Sequence, residues 1–99
     1  MKNSSARDFL ETIKAQDAWL KYGPRSFFVN GCCCTFDNDG RVLSARLEMY
    51  ETKEDFQTWI ADVCTITRNS VEDCMNVFTE IPLIDGKSFW ELEQDLEWV

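Results

Sequence analysis

The chain contains no histidine. With it go Ser-His and Cys-His nucleophile activation, imidazole-ligated zinc, and the commonest general base near neutral pH. The P-loop, the dinucleotide-binding glycine motif and a complete EF-hand loop are also missing. Asp37-Asn38-Asp39-Gly40 begins like a calcium loop, but no ligating Glu follows at the required spacing, so it reads as a hairpin turn. The remaining Asp and Glu residues stand in no motif that separates them from solvated charge. The expectation is a protein without catalysis, cofactor or metal.

Proline and glycine are scarce, at two and four residues, and no linker, repeat or low-complexity tract appears. One domain over residues 1–99 follows, long enough for a single modest core. No segment approaches the roughly 18 apolar residues of a membrane span, and MKNSSARDFLETIKAQDAW lacks the apolar run of a signal peptide. A cytoplasmic location is expected.

Five cysteines are present, three of them consecutive. The odd count and the run Cys32-Cys33-Cys34 argue against a disulfide framework. On a strand only Cys32 and Cys34 share a face, and with Cys64 and Cys74 they match no common zinc spacing; small buried residues are the better reading.

What the chain has is apolar and acidic. Hydrophobic residues make up 44% and aromatics 13%, which is ample for a folded core, and the formal charge is −8. Met1–Arg46 carries seven Lys or Arg against five Asp or Glu; Leu47–Val99 carries three against thirteen. So acidic a half repels phosphate and attracts basic surfaces.

Ser5, with Asp8 three residues on, opens an amphipathic helix in which Ala6, Phe9, Leu10, Ile13 and Leu20 share a face, and Gly23-Pro24 closes it. Ser26–Phe36 and Arg41–Tyr50 form a hairpin, with Leu43, Ala45, Leu47 and Met49 on one side. Thr52 and Asp55 start a second helix through Phe56, Trp59, Ile60 and Val63. Asn69 or Ser70 caps a third carrying Val71, Cys74, Met75 and Phe78. The capping box Ser88-Phe89-Trp90-Glu91 begins a last helix running to Val99. The fold expected is α+β: an N-terminal helix, an antiparallel hairpin, then three helices packed on the sheet (α-β-β-α-α-α), with a short third strand allowed near Ile81–Ile84.

Three functional readings arise, the plainest being that the acidity only keeps the chain soluble and the function lies in oligomerisation. The segment WIADVCTITRNSVEDCM is spaced like a helix-turn-helix, with Ala61 at the small crossing position, so residues 67–78 would read DNA in a regulator or replication accessory protein. Thr65 replaces the usual turn glycine, Glu72 and Asp73 open the reading helix, and no lysine lies between Lys53 and Lys87; the charge argues against a groove. The preferred reading is a small acidic protein that binds and inhibits a basic, nucleic-acid-binding enzyme or toxin, with no direct nucleic-acid or membrane binding. In size and composition it resembles nuclease inhibitors, toxin-immunity proteins and phage anti-defence proteins of the anti-CRISPR type, some of which mimic DNA. The expected contact residues are Glu48, Glu51, Glu54 and Asp55 around the second helix. In the last helix they are Trp90, Glu91, Asp95, Glu97 and Trp98; helical spacing puts both tryptophans on the outer face as anchors among acids, and the alternative is that at least one of them folds back to pack over the hairpin.

Overall fold

Strand, not helix, dominates the chain. The computed structural model, which describes every residue from Met1 to Val99, orders the elements as α1 (Ala6–Ile13), β1 (Ala18–Tyr22), β2 (Arg25–Phe36), β3 (Val42–Thr52), β4 (Trp59–Arg68) and α2 (Val71–Glu80). There follow β5 (Pro82–Ile84), β6 (Lys87–Ser88), the single-turn α3 (Phe89–Leu92), a 3-10 turn (Glu93–Asp95) and β7 (Leu96–Trp98). Five strands form one sheet in the order β4-β3-β2-β1-β7, every neighbouring pair antiparallel, while β5 and β6 make a separate two-stranded ribbon. The fold is α+β, but the hairpin followed by three helices does not exist.

Three segments account for the difference. The first helix ends at Ile13 rather than near Gly23. Ala18 and Leu20 are buried while Trp19 and Lys21 are exposed, which is strand alternation; Leu20 had matched the helical face only by its spacing from Ile13. Gly23-Pro24 is then the two-residue turn of the β1–β2 hairpin. Gly23 has φ +58°, which a primed turn demands at its first central position, and Tyr22 pairs with Arg25 across it.

The second difference is residues 59–68, which form β4. Trp59, Ile60, Val63, Thr65, Ile66 and Thr67 are aromatic or β-branched, and they gain more on a pleated surface against β3 than in a helix. The expected first helix of a helix-turn-helix is therefore a strand, and residues 67–78 are not part of such a motif. The following helix does exist: Ser70 Oγ accepts the Asp73 N–H at 3.1 Å as its N-cap, and Cys74, Met75 and Phe78 are buried.

The third is the C-terminus. The Ser88 N–H does donate to Glu91 Oε1 at 3.0 Å, closing the capping box. The helix lasts one turn, because Glu93, Asp95 and Glu97 would crowd carboxylates at its negative end. Leu96–Trp98 instead pairs with β1.

The helices pack on one face of the sheet. Phe9 and Ile13 of α1, Cys74 and Phe78 of α2, and Phe89 and Leu92 of α3 close over Ala18, Leu20, Phe27, Val29, Ala45, Leu47 and Met49. Phe89 is the hub, with ring centroids 5.9 Å from both Phe9 and Phe78. Ala45, Leu47 and Met49 face inward as the alternation predicts, but Leu43 is exposed, with Phe36 and Val42, where the β2–β3 hairpin extends past the helices. That extension helps to stretch the molecule to 45 × 26 × 23 Å. At the β4 edge the ladder to β3 is broken twice, leaving Val63 and Ile60 as extra residues. No helix is long and apolar enough to cross a membrane.

Candidate functional site: the helix-free face of the sheet

Antiparallel register brings residues distant in sequence into transverse rows on the face opposite the helices. One row runs Trp19 (β1), Phe28 (β2), Tyr50 (β3), Asp62 (β4). Its rings touch in sequence: Trp19 and Phe28 lie 5.6 Å apart between centroids, and Phe28 and Tyr50 lie 5.5 Å apart. The row ends on a carboxylate, Asp62 Oδ1, which accepts the indole N–H of Trp59 at 3.2 Å. The flanking rows are mostly polar: Glu97, Lys21, Ser26 and Thr52, ending on the exposed Trp59, on one side, and Asn30, Glu48 and Thr65 on the other.

Carboxylates surround the aromatic row. Burial raises the Tyr50 phenol above its ordinary value, and Glu48, Asp17 and Asp62 push it further the same way. Asp17 Oδ1 accepts the Gly31 N–H at 3.0 Å, in the β2 segment where the register to β3 shifts. Of the cations at outward positions, Arg46 is already engaged by Glu48 at 3.3 Å, and Lys21 stands beside Glu97 across the β1–β7 pair.

Over one end of the row stands the β3–β4 loop. Asp55 organises it: Oδ1 accepts the Gln57 and Thr58 N–H groups at 2.9 and 2.8 Å, and Oδ2 accepts the Thr58 hydroxyl. The Thr58 hydroxyl and these amides hold the Asp55 carboxyl down at about 2. Phe56 sits in this loop with φ +59°, a region that bulky residues rarely enter. Beneath it lies an open groove of about 530 Å³ lined by Trp19, Phe28, Tyr50, Thr52, Asp55, Phe56 and Gln57. A second hollow of about 450 Å³ lies on the other side of Thr52 and Asp55, lined by polar groups including Arg25, Glu51 and Glu54.

The nine residues expected from sequence are scattered by this fold. Glu48 is on the open face. Glu51 faces the opposite side and is locked in a fork with Arg25, whose Nη2 and Nε donate at 2.8 and 3.1 Å; that bond lowers the Glu51 pKa. Arg25 also donates to Asp85 at 3.0 Å. Glu54 and Asp55 lie in the loop, the latter consumed by its internal bonds. At the C-terminus Trp90 is exposed, while Trp98 turns inward and packs edge-on against Phe9 at 5.6 Å. The two tryptophans therefore do not form one outward anchor pair, which is a consequence of the strand that replaces the helix. Glu91 caps α3, and the Ser88 backbone and hydroxyl lower its pKa. Asp95 lies in the 3-10 turn, and Glu97 accepts from Asn3 at 3.0 Å.

Sequence reasoning missed Trp19, Phe28 and Asp62. Helical spacing assigns Trp19 and Asp62 to helices, whereas the structure has both on strands. A signal was available in the alternation Ala18, Leu20 against Trp19, Lys21, but only the strand order puts these residues beside Tyr50.

The cysteines separate by burial. Cys33 is exposed, Cys32, Cys34 and Cys64 are half-buried, and the Cys74 thiol donates to the Ala45 carbonyl at 3.2 Å. Burial pushes Cys32 and Cys64 up to about 11. No group of three or more Cys, Asp or Glu side chains is placed to hold a metal ion.

No family model, curated protein or solved structure matches this chain.

Proposed function

We propose that the protein is an acidic, non-catalytic interaction protein that occupies a basic protein surface, of the kind with which nucleases and nucleic-acid-binding toxins grip phosphate, and so inhibits its owner. The observation that carries this reading is the helix-free sheet face: the contiguous row Trp19, Phe28, Tyr50 bordered by Asp17, Glu48, Asp62 and Glu97. Aromatic side chains supply large contact area at low entropic cost, and a carboxylate border steers a cationic partner while disfavouring phosphate. The net charge of −8 acts in the same direction at long range. Relative to a site built on Trp90 and Trp98, this face has the advantage that its aromatics are adjacent.

The test uses a fluorescent Arg/Lys-rich peptide and a duplex DNA, each titrated with the protein at about 50 mM salt. The expected result is salt-sensitive peptide binding, lost in Glu48→Lys/Asp62→Lys and in Phe28→Glu, but retained in Glu91→Lys/Asp95→Lys/Glu97→Lys. Binding of the duplex, or peptide binding indifferent to the open-face changes, would overturn the reading.

A further inference from the structure

We infer that the groove under the β3–β4 loop is an arginine-binding site: it takes the guanidinium of a basic protein segment onto the faces of Trp19, Phe28 and Tyr50. The inference rests on the proposed use of the open face and names the side chain that would anchor there.

The groove is built from two independent parts. The sheet supplies its floor, three rings in contact at 5.5–5.6 Å between centroids along a single register row. The loop supplies a fourth ring, Phe56, held at φ +59° by the bonds that Asp55 makes to Gln57 and Thr58. A volume of about 530 Å³ exceeds what one side chain needs, so a guanidinium can enter with part of its backbone.

Charge complementarity selects the occupant. The polar border is anionic, with Asp17, Glu48 and Asp62 close enough to bias the Tyr50 phenol. These carboxylates are partly used already: Asp17 by the Gly31 amide, Glu48 by Arg46, and Asp62 by Trp59. Asp55 has both oxygens engaged. What the groove offers is therefore ring faces in a negative field more than a free carboxylate fork. That combination favours the weakly hydrated, planar guanidinium, which stacks on aromatic faces, over the strongly hydrated ammonium of lysine. The opposite face of the sheet already contains such a contact, with the Arg25 guanidinium 5.3 Å above the Phe27 ring.

The experiment compares three capped tripeptides, Gly-Arg-Gly, Gly-citrulline-Gly and Gly-Lys-Gly, by nuclear magnetic resonance titration of the Trp19 indole and the Tyr50 ring. Citrulline keeps the shape of arginine and removes its charge. The arginine peptide is expected to shift both groups and to bind about 2- to 30-fold more tightly than citrulline, the range of a cation–π contact. Tyr50→Phe keeps the ring and retains binding, whereas Trp19→Leu and Tyr50→Leu lose it. Equal binding of citrulline, equal binding of lysine, or shifts confined to other residues would overturn the inference, and the wild-type comparison does so whether or not the leucine variants fold. Failure here is separable from failure of the broader reading. If long basic peptides still bind the leucine variants and are lost only in Glu48→Lys/Asp62→Lys, the groove is not the anchor but the acidic face still is. If no basic peptide binds at all, both fail.

Discussion

At the residue scale, Asp55 shows how a carboxylate can be mistaken for a contact. Its position in an acidic stretch suggests a surface that waits for a cation, yet both its oxygens are committed to the loop that carries Phe56. Those bonds hold its pKa at about 2 against an ordinary 3.8. A depressed folded-state pKa means that the ionised group stabilises the fold above its unfolded value and that this stabilisation is lost as pH falls. The unfolding midpoint of Asp55→Asn is thus expected to lie below wild type near neutral pH, and the gap to close as pH drops from about 4 to about 2. Urea titrations at several pH values measure it; a gap that persists unchanged at the acid end would show that the carboxylate charge is not what holds the loop.

At the scale of elements, the parts of the fold visible in the sequence are those fixed by local chemistry. Ser5, Ser70 and Ser88 mark helix starts because a side-chain oxygen or a reciprocal box must satisfy free amides there, and the structure has helices at all three. The β2–β3 hairpin was legible from alternation and from the Asp37–Gly40 turn, whose Asp37 Oδ1 accepts the Asp39 and Arg41 amides. What was not legible were strands whose apolar positions also satisfy helical spacing. Phe56, Trp59, Ile60 and Val63 fit i, i+3, i+4, i+7, and only a neighbouring strand, β3, decides otherwise. The open face was hidden for the same reason, since it exists only once β1 and β4 flank the hairpin. The junction between α1 and β2 depends on a glycine that sequence reading passed over. A Cβ on Gly31 would stand 2.2 Å from the Gln16 carbonyl oxygen, which is backbone and cannot swing aside. Gly31→Ala is expected to cost about 1–3 kcal/mol, as overpacking does, with an unchanged urea m-value. A variant as stable as wild type would mean that the Gln16 backbone is free to retreat.

For the whole molecule, the sheet sorts side chains into a dry face and an open one, and the thiols report that sorting. Cys33 is exposed, whereas Cys32 and Cys64 are raised to about 11 by burial and Cys74 is sealed in the core. Alkylation with iodoacetamide near pH 8 is expected to place an adduct rapidly on Cys33 and to reach Cys32, Cys64 and Cys74 only as the chain unfolds in denaturant, since the thiolate is the reacting form. Intact-mass kinetics with peptide mapping distinguish this from simultaneous labelling, which would mean that the native helices open readily over the sheet.

The two interruptions at Ile60 and Val63 carry a consequence for the fate of this chain at high concentration. Trp59–Arg68 is a long strand at the edge of the sheet, rich in the residues that stack into fibrils. A growing cross-β assembly needs a straight, evenly spaced run of amide donors and acceptors to template the next copy. The two bulges confine even spacing on this edge to Cys64–Arg68, so the supernumerary residues shorten the template and act as gatekeepers against polymerisation.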